Sequence, residues 1–310
     1  MLLAILSRER FNKTRASRLL RLLPVLVLAV LARSQSLEQL IDANRLMEAR
    51  EALKTLVSSS GVSPKTRLLE AMILYRERRY RESLIELQHL LGPKQRDASV
   101  YNLFGLNLVA LKREADAEPF FRAAVQLAPD DVMSSYYLGM AELSLGRYSE
   151  AERLLRDVIR RDPHFVAGQT MLGLAMEQQG RQEAAIESYR AAIELALSRK
   201  EAAAQPRLYL ARCLSWLSRF AETIAPLEAI LATDPVNAEA HRLLGRALSE
   251  LGHLERAAIH LRRTVELEPG NRQARYALGR VLQRMGRKRE AEREFRALRR
   301  ERKTVESKTP

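Results

Sequence analysis

Residues 132–163 read VMSSYYLGMAELSLGRYSEAERLLRDVIRRDP, and their punctuation decides the fold. Tyr136, Leu138, Gly139, Met140, Glu142 and Leu143 share one helix, whose apolar positions recur at three and four. Gly146-Arg147-Tyr148 interrupts it at a glycine, the residue that takes a positive φ without penalty. Ser149-Glu150-Ala151 opens a second helix with Leu154, Leu155, Val158 and Ile159, and Asp162-Pro163 closes it. Each helix is apolar on one face, so the hairpin buries that face only against a neighbour.

The neighbours are present. Pro129 and Pro163 are 34 residues apart, as are Pro235 and Pro269, while Pro163 to Pro235 is 72, two periods plus four residues. Gly105, Gly139 and Gly173 keep the same spacing, as do Gly245 and Gly279, and a second series holds Gly146, Gly180, Gly252 and Gly286. The first series falls in mid-helix, where glycine costs about 1 kcal/mol against alanine, so a close helix approach that a Cβ would obstruct is expected there. A fixed period of this length signals stacked supersecondary units.

In register, these residues resemble the tetratricopeptide repeat family. Its pattern of large residue, Leu-Gly, Tyr, Ala, Phe, Ala and Pro appears as Tyr101, Phe104-Gly105, Leu108, Ala117, Phe121, Ala124 and Pro129. It recurs as Leu172-Gly173, Met176, Ala185, Tyr189 and Ala192, as Leu244-Gly245, Leu248, Ala257, Leu261 and Pro269, and as Leu278-Gly279, Leu282, Ala291 and Phe295. Weaker copies start near Pro64 and Ala204. The resemblance implies an all-α, right-handed superhelical solenoid of stacked antiparallel helix pairs. About seven repeats would span 64–303, led by a partial helical pair at 36–60 and followed by a disordered tail at 304–310. The Ala204 unit departs from the pattern, with Ser218 in the glycine position, Pro226 inside its second helix and an insertion at about Lys200 to Ala203. A local break near 197–206 and a bend at Pro226 are expected.

Composition agrees with this organisation. The 310 residues are 46% apolar and 5% aromatic, which supports a large core and favours helix over strand, and excludes wholesale disorder. The net charge of +14 sits at the ends: residues 1–35 carry +6, Arg284 to Pro310 carry +6, and the body is left at +2. A near-neutral body gives little pull toward a polyanion, so no nucleic acid is expected as a partner. At the N-terminus a basic stretch through Arg21 precedes an apolar run, Leu22 to Ala32, and then Ala32-Arg33-Ser34-Gln35. That is the design of a signal peptide over 1–34 with cleavage after Ser34, which would export the protein to the periplasm or the extracellular space. The alternative is an uncleaved membrane anchor; a membrane is a partner only if this segment is retained.

The resemblance also places a groove on the outward positions of each first helix. Here those are Met72, Tyr75, Asn102, Leu106, Tyr136 and Met140 in the earlier units, and Arg212, Arg242, Arg246, Arg280 and Arg284 in the later ones. Such a surface suits a protein or peptide, the apolar part a helix or extended segment and the Arg row an acidic stretch. The bland alternative is a solvated face with Arg serving solubility, partly neutralised by Glu239 and Glu250. The Lys and Asn pattern with which some family members grip a terminal carboxylate is not reproduced by Lys65 and Asn102.

Nothing in the pattern points to catalysis, a cofactor or a metal. The histidines, His89, His164, His241, His253 and His260, form no HExxH and read as surface or turn residues. Cys213 is the single cysteine and lies in an apolar helical pattern, where a small core residue is expected. The overall expectation is a non-enzymatic scaffold that binds protein partners, with a membrane-anchored assembly subunit as the alternative and a polyanion binder behind both.

Overall fold

A computed structural model describes residues 36–92 and 95–306. The leader over 1–34 and residues 307–310 of the expected tail lie outside these. The described residues contain sixteen α-helices and no strand. They fall into two compact units divided between Leu127 and Ala128.

The first unit holds α1 (Leu37–Asp42), α2 (Leu46–Ser60), α3 (Pro64–Arg76), α4 (Tyr80–Gln88), α5 (Ala98–Ala110) and α6 (Glu114–Leu127). The second holds α7 (Val132–Ser144), α8 (Tyr148–Arg161), α9 (Val166–Gln178), α10 (Gln182–Ser198), α11 (Ala204–Trp216), α12 (Phe220–Leu231), α13 (Ala238–Glu250), α14 (Leu254–Leu267), α15 (Arg272–Arg284) and α16 (Lys288–Glu306). In each unit consecutive helices pair and the pairs stack.

Two devices start the helices. The first helix of half the pairs has an Asx cap: Asp97, Asp131, Asn237 and Asn271 accept from the backbone N–H of Ser99, Ser134, Ala240 and Ala274. These bonds satisfy donors that a helix start leaves orphaned. The second helices have no such side-chain cap. Instead the chain wraps back on the preceding helix, as where Arg147 N–H donates to the Glu142 carbonyl at 2.9 Å after Gly146 at φ +75°. The wrap survives without glycine: Arg78, Lys112 and Ser218 stand at φ of 62°, 62° and 60°. Sequence reasoning found the turn through its glycines and missed that the turn itself is the invariant.

The mid-helix glycines sit where the sequence placed them, under a side chain sixteen residues further on. A Cβ on Gly105, Gly173 or Gly279 would stand 2.6 Å from the ring of Phe121, Tyr189 or Phe295. On Gly245 it would stand 2.7 Å from Leu261, but on Gly139 only 3.2 Å from Leu155. The aromatic rings, more than the helix backbones, set the requirement. Ala71 and Ala211 occupy the same register, opposite the buried leucines Leu87 and Leu227.

The expected break near 197–206 is absent from the packing. The inserted residues prolong α10 to 17 residues and close it with Lys200 at φ 57° and a 2.8 Å bond from Glu201 N–H to the Ala196 carbonyl. One core continues across the insertion, from Ala185, Ile186 and Tyr189 to Leu210, Cys213 and Leu214, and Tyr189 stacks on Tyr209 at 5.7 Å. Pro226 lies inside α12, where the sequence placed it, and Pro119 lies inside α6; both helices run on because packing on the buried faces outweighs one lost ladder bond. At the C-terminal end α16 extends to Glu306, so helix covers 304–306, where a tail was expected.

Candidate functional site

The Arg row belongs to the second unit, on α11, α13 and α15. Arg246, Arg280 and Arg284 line one cavity of about 240 Å³, together with Ser249, Glu250, Leu261, Tyr276 and Ala277. Among the described residues, Arg246 and Arg280 make no ion pair and no hydrogen bond. Arg284 donates to the Ser249 carbonyl at 2.8 Å and to its hydroxyl at 3.1 Å, which bridges α15 to α13 and leaves the guanidinium without a carboxylate. Glu250 is the one acid on the wall, against three guanidinium groups. The contrast with the turn arginines is sharp. Arg219 is held by Glu183 at 2.9 Å and Glu222 at 2.6 Å, and Arg181 by Glu152 at 2.8 Å.

The structure does not bring all five arginines together. Arg212 stands over the ring of Tyr209, 5.4 Å from its centroid, a cation–π contact outside the cavity. Arg242 is mostly covered and lies 3.6 Å from Glu239. Of the two acids foreseen to neutralise the row, Glu239 thus pairs with Arg242, while Glu250 stands on the cavity wall with the other arginines. Two exposed aromatic residues on the first-helix stripes were missed by the sequence reading, and one of them, Tyr276, lines the cavity. Trp216, four residues after Arg212 on the same helical stripe, is 71% exposed, and Tyr276, four before Arg280, is 52% exposed. The signal was available: both fall on the outward stripe of a first helix, and Trp216 is the single tryptophan in the chain.

The earlier positions of the second unit are apolar. Met140 is exposed, while Tyr136 is partly buried, its ring edge-on to Phe165 at 4.9 Å. Burial, with Tyr137 and Tyr209 close by, pushes its phenol up to about 12. Tyr136 is therefore a wall of the core with one edge free.

In the first unit the picture departs from expectation. Asn102 is buried at 8% exposure because α5 is packed on nearly every side, so it offers nothing to a partner. Leu106 is half-buried, Met72 packs against the core of α1 to α3, and Tyr75 tilts onto Tyr80 at 5.6 Å. A cavity of this unit, about 510 Å³, involves none of these residues; Leu53, Val57 and Val62 line it, with Arg50, Arg67, Glu70 and Glu86. Its charges cancel, Arg67 on Glu86 at 2.8 Å and Arg50 on Glu70 and Glu77.

Cys213 is buried, and burial pushes its thiol up to about 11, so it stays protonated in the core as expected. Two histidines correct the surface reading: His241 and His260 are partly buried and face each other. Among the described residues no three His, Cys, Asp or Glu side chains cluster to hold a metal, and no helix is long and apolar enough to cross a membrane.

Models of the tetratricopeptide repeat match residues 98–131, 136–202 and 217–274. The chain belongs to the tetratricopeptide repeat family. No curated protein matches its sequence. Among solved structures, this tetratricopeptide repeat protein resembles one from the APC/C hetero-tetramer Cut9–Hcn1, with a TM-score of 0.69 at 16% identity over 79% of this chain. It spans about half of that chain, 48%. It also resembles a tetratricopeptide repeat protein from Parabacteroides merdae, TM-score 0.58 at 15% identity, over 79% of this chain and 96% of that one. A third is pilF of Pseudomonas aeruginosa, TM-score 0.58 at 15% identity, over 68% and 94%. At such identities the likeness is one of fold. Tetratricopeptide repeats are a scaffold fold, which suggests protein–protein interaction as the class of activity.

Proposed function

We propose that this tetratricopeptide repeat protein is a non-enzymatic scaffold that takes an acidic segment of a partner protein on the second unit. The observation that carries this is the unpaired set Arg246 and Arg280, with Arg284 braced on Ser249 and Tyr276 at the cavity wall. A guanidinium without an internal acid offers a fork of donors that a carboxylate satisfies, and its desolvation is repaid only by such a ligand. Exposed Trp216 and Tyr276 supply flat, low-entropy anchors beside the charges, the residue types enriched at the centre of interfaces.

The test uses the single tryptophan. Titrating the protein with an Asp- and Glu-rich peptide should change Trp216 fluorescence saturably, and an equally long Ser- and Gly-rich peptide should not. Equal responses to both peptides, or none to either, would remove the acidic-segment reading.

We further propose that the protein is exported, on the strength of the basic flank, apolar run and small residues that end at Ser34. Sequencing the mature N-terminus separates the two fates of that segment. A start at Gln35 supports a periplasmic or extracellular scaffold, whereas an intact Met1 supports a membrane-anchored assembly subunit.

A further inference from the structure

One cross-helix position recurs through the repeats. Arg67 and Glu86, nineteen residues apart, form a 2.8 Å ion pair between α3 and α4, and Arg275 and Glu294 form one of 3.1 Å between α15 and α16. Between α13 and α14 the same position holds two imidazoles, His241 and His260, with their Nδ1 atoms 2.9 Å apart. The likeness extends to the backbone. Arg275 donates to the Pro269 carbonyl at 2.8 Å, and His241 Nε2 lies 3.1 Å from the Pro235 carbonyl, 34 residues earlier.

The carbonyl settles the tautomers. Pro235 O only accepts, so His241 carries its proton on Nε2, and its Nδ1 is then an acceptor in the neutral ring. His260 must donate through Nδ1–H. Both rings are neutral in this arrangement. One added proton is accommodated on His260 Nε2, because its Nδ1–H still donates to His241 Nδ1. A second cannot be, because two Nδ1–H groups would then face each other at 2.9 Å with like charges.

The surrounding charges do not rescue that state. Arg256, on α14 with His260, adds positive charge, and Glu228 from α12 is already paired with it at 2.8 Å. On α13, Glu239 is taken up by Arg242; from α15, Arg275 is held by Glu294. Burial, then His241, then Arg256 lower the His260 pKa below its ordinary 6.5. A base whose folded pKa is lowered stabilises the fold above its unfolded value, and that contribution is lost as pH falls through 6.5 toward the folded value.

We propose that His241 and His260 form a pH-sensitive latch between α13 and α14, closed while both rings are neutral and opened by the second proton. It is independent of the acidic-segment reading, although α13 also carries Arg246 and Ser249 of that cavity.

Hydrogen exchange on the full chain tests it, with rates corrected for the intrinsic effect of pH. From pH 7.5 to 5.5, amides of α13 and α14 should lose about tenfold in protection, while α15 and α16 hold theirs. The double variant His241→Arg with His260→Glu, which installs the pair of the next repeat, should abolish the loss. The single variant His260→Gln, which keeps a donor but cannot titrate, should do the same should the double variant not fold. Undiminished protection of wild type at pH 5.5, or a loss that persists in the variant, overturns the latch. So would protection at pH 7.5 that rises on adding Zn²⁺ and falls with a chelator, which would make the pair a metal site instead.

Discussion

Gly173 shows how one missing methyl group organises a repeat. Its absent Cβ is the space that the Tyr189 ring fills, and the tyrosine hydroxyl, 2.6 Å from the Glu177 carboxylate, keeps a partner in a buried position. Gly173→Ala should gain about 1 kcal/mol in helix propensity yet lose more, about 1–3 kcal/mol, through displacement of a rigid ring. Gly139→Ala meets only the flexible Leu155 at 3.2 Å and should be close to neutral. Urea unfolding of the two variants checks the order, and equal midpoints would show that the rings are not the constraint. Ser218 offers the converse case. Its φ of 60° is strained for a residue with a Cβ, so Ser218→Gly should raise stability by about 1 kcal/mol in the same measurement. Both glycine series were legible as sequence. Which members are crowded was not, because that depends on the side chain sixteen positions away and on its rotamer.

Among elements, Glu152 of α8 does for neighbouring pairs what the core does within one. It accepts from Gln179 in the turn after α9 at 2.8 Å, from Arg181 before α10 at 2.8 Å, and from Arg156 on its own helix at 2.8 Å. Burial raises its pKa, but the bonds from Gln179, Arg181 and Arg156 outweigh that and hold the carboxyl at about 2. A depressed carboxylate stabilises the fold above its ordinary value of 4.5, and the contribution fades as pH falls from there toward 2. Glu152→Gln should therefore lose about 1–3 kcal/mol at pH 7 and show a smaller drop in stability between pH 5 and pH 3 than wild type, read by thermal unfolding. The His241–His260 pair acts at the same scale in a higher pH range. Neither link is visible in a linear reading, since each joins residues from different helices and depends on their mutual rotation.

For the whole molecule, charge placement matters more than its total. Of the net +14, most lies at the two ends, and many arginines of the helical body are consumed by neighbouring acids. The attraction left for a partner is local, at Arg246, Arg280 and Arg284. Replacing Arg246 and Arg280 together by Ala should weaken an acidic peptide at least tenfold at physiological salt while leaving the unfolding midpoint unchanged, because among the described residues neither side chain has an ion pair or hydrogen bond to lose. Calorimetric titration and urea unfolding read the two effects separately; an unchanged affinity would assign the binding elsewhere.

The period of 34, the helix pairs, their turns and the crossing glycines were all determined by the chain alone, because each rests on local steric rules repeated in register. Tertiary structure decided the rest: that Asn102 is covered while Trp216 is open, that the insertion at 200 is absorbed without a break, and that two of five row arginines stay without partners while two histidines meet. Exposure, pairing and protonation are properties of what surrounds a side chain, and those surroundings exist only once helices distant in sequence have packed.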